Sequence, residues 1–125
     1  MSGVKVFDKV RGRHLVLTPE EGVRQWFVDY LSRQLGVDEY RIGREVTVDA
    51  HNRADIVVYD RAGRAQLIVE CKAPTVAIGR EVVEQLARYN NLLGGVEYLV
   101  ATNGSTTVAL RLVNGAYEST DELVL

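Results

Sequence analysis

Residues Leu67-Ile68-Val69-Glu70-Cys71-Lys72-Ala73-Pro74 set an acid and a base two positions apart at the end of an apolar run. Alternate side chains of a strand share a face, so Glu70 and Lys72 point one way and Leu67, Val69 and Cys71 the other. A charge buried in a sheet costs several kcal/mol unless it is paired or bound to a metal. The chain has three lysines, and only Lys72 lies inside an apolar run. On this octapeptide alone, a structural ion pair and half of a charged functional site are equally good readings.

Upstream, Arg53-Ala54-Asp55-Ile56-Val57-Val58-Tyr59 is a second apolar strand with an acid near its start. Asp60-Arg61-Ala62-Gly63-Arg64 has the Asp and Gly of a compact turn. The two strands therefore form a hairpin, and Asp55 comes near Glu70 and Lys72. Two ionised carboxylates held close repel. A divalent cation removes that cost, and oxygen ligands with water-filled positions suit Mg²⁺. A water activated there, beside a lysine, suits attack on a phosphodiester. A buried ion network without metal remains the alternative. Stability after Lys72→Met separates the two, because an unpaired buried charge is costly.

Asp55, fourteen intervening residues and Glu70-x-Lys72 resemble the PD-(D/E)XK nuclease motif, with Ala54 in place of its proline. Gln85-x-x-x-Tyr89 resembles the extra motif of the RecB-like subset. Thr18-Pro19-Glu20-Glu21-x-x-Arg24-Gln25 and Ala101-Thr102-Asn103-Gly104 also fit. Together, over roughly residues 15 to 105, the chain resembles the N-terminal nuclease domain of type I restriction enzyme R subunits. The resemblance implies a restriction-endonuclease-like fold and metal-dependent DNA cleavage. It also implies assembly with a motor or specificity subunit of a restriction system, or with a second copy of the chain. A Glu-x-x-x-Arg arrangement on a helix near the metal is implied too, and Glu20 and Arg24 match its spacing. Gln85 and Tyr89 would lie over the metal site and position nucleic acid.

At 125 residues the chain is one domain, large enough for a single core. With 46% hydrophobic residues and mixed charge it reads as globular rather than disordered. No apolar run approaches the roughly 20 residues of a membrane span, and no signal-peptide core is expected. A single cysteine agrees with a reducing cytosol, so the expected location is cytoplasmic. Cys71 reads as a small buried hydrophobe. Net charge is −2, which argues against strong autonomous binding to nucleic acid. DNA is therefore expected as a partner held weakly by the domain alone.

Residues 1–14 are expected as a polar arm or irregular edge. Thr18 to Leu35 is the first predicted helix, with Thr18 as N-cap, Pro19 at N1, Glu21 completing a capping box and Gly36 ending it. Strands are expected over Tyr40–Asp49, from Asp55, over Leu67–Lys72, Glu97–Ala101 and Thr107–Val113. A second helix is expected over about Ile78–Leu93, and the tail from Tyr117 as an edge strand. The order α-β-β-β-α-β-β predicts an α/β fold, a mixed sheet with a helix on each face. Val23, Phe27, Tyr30 and Leu31 form the inward stripe of the first helix, and Glu20 continues it. Glu20 is accordingly the expected helical acid of the site, against an i,i+4 ion pair with Arg24 as the local alternative.

The expected reaction is Mg²⁺-dependent DNA hydrolysis, with Mn²⁺ able to substitute. Asp55, Glu70, Glu20 and the backbone carbonyl of Cys71 would bind the metal. Lys72 would orient or help to deprotonate the attacking water, and Arg53 would touch phosphate. His14 and His51 have no partner at metal-ligand spacing. The competing reading is a catalytically idle nucleic-acid-binding or assembly module that keeps the fold, since a fold does not fix an activity.

Overall fold

The computed structural model describes residues 4–8, 13–92 and 94–125. Strands β1 (Val4–Asp8) and β2 (Arg13–Leu17) form an antiparallel ribbon separate from the main sheet. Within 1–14, residues 4–8 and 13–14 are thus regular strand rather than the expected arm or irregular edge, and the remainder lies outside the described residues. Each strand is only five residues long and carries charge, so its composition reads as polar; pairing supplies the ladder that makes it a strand.

Helix α1 (Pro19–Asp29) starts where the sequence predicts. Thr18 is extended, and its hydroxyl accepts from the Glu21 N–H at 3.1 Å. A wider π-type turn, Tyr30–Gln34, continues the helix. The Val37 N–H returns to the Leu31 carbonyl at 3.0 Å, around Gly36 at φ 67°. That left-handed residue is the expected stop. A 3₁₀ turn, Glu39–Arg41, then leads into the main sheet.

The sheet contains β3 (Ile42–Thr47), β4 (Arg53–Tyr59), β5 (Ala65–Cys71), β6 (Tyr98–Thr102), β7 (Thr107–Val113) and β8 (Ala116–Ser119), in that spatial order. Neighbours are antiparallel except β5 and β6, which are parallel and joined through α2 (Arg80–Leu92). The predicted order is realised from α1 onward, and the tail adds β8 as the edge strand. Asp60 closes the β4–β5 turn by accepting from the Ala62 and Arg64 N–H groups, both at 2.9 Å. Asn114 and Gly115, at φ 49° and 84°, make the β7–β8 turn, as an Asn-Gly pair does.

The two helices cover opposite faces. Val23, Phe27 and Leu31 of α1 pack on Ile56, Val58, Leu67, Val69 and Val100. Val82 and Leu86 of α2 pack on Val57, Ile68 and Leu99. Each such buried side chain contributes about 1.5–3 kcal/mol. Because β5 and β6 are parallel, their carboxyl ends lie together, where the Lys72 N–H donates to the Thr102 carbonyl at 2.9 Å. Asn103 fixes the same end. Its amide donates to Val76, and its side-chain oxygen accepts from Ser105 and Thr106. It is thus more than the hairpin turn its sequence suggests, because it ties the loop after Lys72 to the β6–β7 turn.

Gly43 of β3 leaves no room for a side chain. A Cβ there would lie 2.8 Å from Val46 Cγ2 and 3.1 Å from Tyr59 Cε2. Gly43→Ala is expected to cost about 1–3 kcal/mol, measured as a lower urea midpoint at unchanged slope.

Candidate active site

The hairpin register pairs Ile56 with Val69, Val57 with Ile68 and Val58 with Leu67. Continued outward, it sets Asp55 beside Glu70. Asp55 Oδ2 accepts from the Cys71 N–H at 2.7 Å. Lys72 Nζ lies 3.2 Å from Glu70 Oε1, so the acid and base share a face as the alternation requires. Cys71 is buried on the other face with Leu67 and Val69. The structure therefore brings Asp55, Glu70 and Lys72 to one place. Glu20, half-buried in the first turn of α1, is close enough that its charge acts on Glu70, Cys71 and Lys72.

Arg24, which the Glu-x-x-x-Arg spacing places near the site, has partners the sequence did not point to. It is 7% exposed, and its guanidinium reaches three acids. NH1 donates to Glu21 at 2.7 Å and to Glu45 at 3.2 Å, and NH2 donates to Asp55 at 3.1 Å. It pairs with these acids rather than with Glu20, the partner of the local i,i+4 alternative. Glu21 also accepts from Arg44, a side chain 1% exposed. The capping box expected at Glu21 is thus only half made. Thr18 accepts from the Glu21 N–H, but the Glu21 carboxylate is spent on two arginines. Glu45 stands on β3 across from Asp55 at φ 50°, an uncommon backbone for a residue with a side chain. A helix-to-sheet ion network of this kind has no local sequence signature. Only the short spacing of Arg24 from Glu20 and Glu21 hinted at it.

The electrostatics follow from burial. Glu70 is pushed up to about 7, first by burial and then by repulsion from Asp55, with Lys72 pulling the other way. Asp55 is also raised, because burial outweighs the Cys71 N–H, Arg24 and Lys72. Burial opposes the Lys72 ammonium, but Glu70, Asp55 and Glu20 outweigh that and hold it above its ordinary value. Lys72 is therefore a cation at neutral pH. Burial pushes the Cys71 thiol up as well, which makes it an inert apolar filler.

Gln85 and Lys72 line one groove beside α2, together with Arg80 and Arg88. The side chain of Tyr89 lies outside the described residues. Arg53 is exposed at the start of β4, opposite Thr47 and two residues from Asp55. His51 is exposed in the β3–β4 turn.

No three His, Cys, Asp or Glu side chains form a ready cage for an ion among the described residues. Mg²⁺ does not need one, since it binds through one or two carboxylates and keeps several waters. One feature fits it: Glu70 Oε2 is buried with no hydrogen-bond partner.

The arrangement is that of a mixed α/β domain with an acid-and-lysine centre at the carboxyl ends of its parallel strands. The chain belongs to the family of the type I restriction enzyme R protein N terminus, whose family model matches residues 19–123. No curated protein matches the chain. Among the described residues, no helix is long and apolar enough to cross a membrane.

Removing Arg24 leaves Asp55, Glu21 and Glu45 without their shared cation. Arg24→Met is expected to cost about 3–5 kcal/mol, read by chemical denaturation. The raised Glu70 gives a pH test with a definite sign. Between its ordinary value near 4.5 and about 7, the folded chain keeps a proton that the unfolded chain has lost. This group's contribution is therefore fully present below 4.5 and is lost as pH rises to about 7. Asp49 and Asp60, lowered by backbone hydrogen bonds, act in the opposite sense at acid pH. The wild-type minus Glu70→Gln difference in melting temperature isolates Glu70. It should move in favour of the variant across that window.

Proposed function

We propose that this domain is a Mg²⁺-dependent DNA endonuclease that hydrolyses phosphodiesters. The observation that carries the reading is the meeting of Asp55, Glu70 and Lys72 at one strand end, with a buried Glu70 oxygen left without a partner. Family membership supports it, because the family is named for a restriction enzyme component. Asp55 and Glu70 would hold the metal, with Glu20 and the Cys71 carbonyl as further oxygens. The bound ion supplies Lewis-acid polarisation of the phosphate and a more acidic water.

The chain's own groups divide the remaining work. Lys72, kept protonated by its acidic neighbours, donates to the phosphate and steadies developing charge. It would orient the attacking water or help to deprotonate it. Glu70, raised toward neutrality by burial and by Asp55, would be held ionised by the cation it binds. Arg24 fixes Asp55 in place through its Oδ1. Gln85 would position the strand, and Arg53 would meet phosphate. The location would be cytoplasmic, with a motor or specificity subunit, or a second copy of the chain, supplying affinity that an acidic domain lacks.

The competing reading also has a specific observation behind it. Both Asp55 oxygens are already engaged, one by Arg24 and one by the Cys71 N–H. A catalytically idle nucleic-acid-binding or assembly module would keep such a closed arrangement. Supercoiled plasmid decides between them. Nicking is expected with Mg²⁺ or Mn²⁺ and not in EDTA. Asp55→Ala, Glu70→Ala and Lys72→Ala should each lower it at least a hundredfold, the usual size of an electrostatic or acid–base contribution. Glu20→Gln should reduce nicking more than stability, whereas Glu21→Gln should reduce stability, since Glu21 anchors two arginines. Cutting in EDTA would refute the metal mechanism. No cutting by well-folded protein under any metal would favour the idle module.

A further inference from the structure

We propose that the groove beside α2 is a track for the phosphate backbone of the strand leaving the Glu70–Lys72 centre, with Arg80 and Arg88 as its phosphate contacts. This rests on the nuclease reading above. The groove, about 860 Å³, begins at Lys72 and runs past the small residues Ala77 and Gly79 and along the exposed side of α2. Lys72, Arg80 and Arg88 line it, with Glu81 as the acid among them. The lining thus carries three cations to one acid, with Glu70 paired to Lys72 and Glu84 to Arg80 at its margins. The groove on the α1 side of the same edge, past Val23, Trp26 and Pro74, is lined by no cation. Its neighbour in α1 is Glu20. A polyanion crossing the centre is therefore attracted along α2 and not along α1.

The spacing suits a strand. Arg80 and Arg88 are eight residues apart, about 12 Å along a helix axis at 1.5 Å per residue. That separation lets the two arginines meet different phosphates of one strand rather than the same one. Neither arginine is committed to the core. Arg80 is 90% exposed and meets Glu84 at 3.9 Å, a pair that solvent screens and a phosphate displaces. Arg88 is exposed as well.

The test is the salt dependence of binding. Fluorescence anisotropy would follow a labelled duplex oligonucleotide and its single strand in EDTA, where no cutting occurs. Each phosphate contact contributes about 0.9 to the log–log slope on duplex and about 0.7 on single strand. Arg80→Ala and Arg88→Ala should each reduce the slope by that amount, and the double variant by twice it. Glu81→Gln should tighten binding, which a loss of structure would not do. Arg33→Ala, exposed and paired with Asp29 beyond α1, should leave the slope unchanged. Unchanged slopes in the α2 variants, or an equal change in Arg33→Ala, would overturn the track. Nicking assays separate this from the parent reading: nicking with unaltered slopes sinks only the track. Altered slopes in a protein that never nicks leave the track standing and sink the nuclease.

Discussion

The guanidinium of Arg24 reaches Asp55, Glu21 and Glu45 from a position that is 7% exposed. Burial disfavours its charge, yet the three carboxylates hold the group above its ordinary value. This one side chain ties α1 to β3 and β4, and it sets where Asp55 points. With Asp55 fixed, its second oxygen takes the Cys71 N–H and so fixes the end of β5. Glu70 and Lys72 then occupy the only face left to them by strand alternation. Remove the cation, and the acids at the ends of these strands lose the reason to be buried together.

The compensation is incomplete, and the incompleteness is informative. Arg24 serves Asp55, and Lys72 engages one oxygen of Glu70. The other Glu70 oxygen is buried without a partner, beside a second acid and near a third. A group held this way is strained electrostatically, and its raised pKa expresses that strain. On the proposed reading, the missing positive charge arrives with Mg²⁺ and substrate.

Much of the fold is legible in the sequence because it is locally encoded. Thr18 and Gly36 bound a helix by capping chemistry. Asp60 and the Asn114-Gly115 pair fix turns, and the alternation through Leu67–Lys72 assigns faces. Asp55, Glu70 and Lys72 could be placed together from a hairpin of ordinary geometry. The roles of Arg24, Glu21, Glu45 and Arg44 could not. Apart from the i,i+3 pair of Arg24 with Glu21, their contacts span 21 to 31 residues and depend on how α1 docks on the sheet. Glu21 looked like a cap because its spacing from Thr18 is that of a cap; tertiary charge won the carboxylate instead. The N-terminal ribbon likewise arises from pairing rather than from propensity.

The central claim is that the unsatisfied Glu70 carboxylate belongs to a metal centre. Mn²⁺ binding followed by its EPR signal, with duplex DNA present, tests it most directly in wild type and Glu70→Gln. One saturable ion per chain in wild type, lost in the variant while both remain folded, is the predicted result. Equal binding by the two proteins, or none by either, would contradict it.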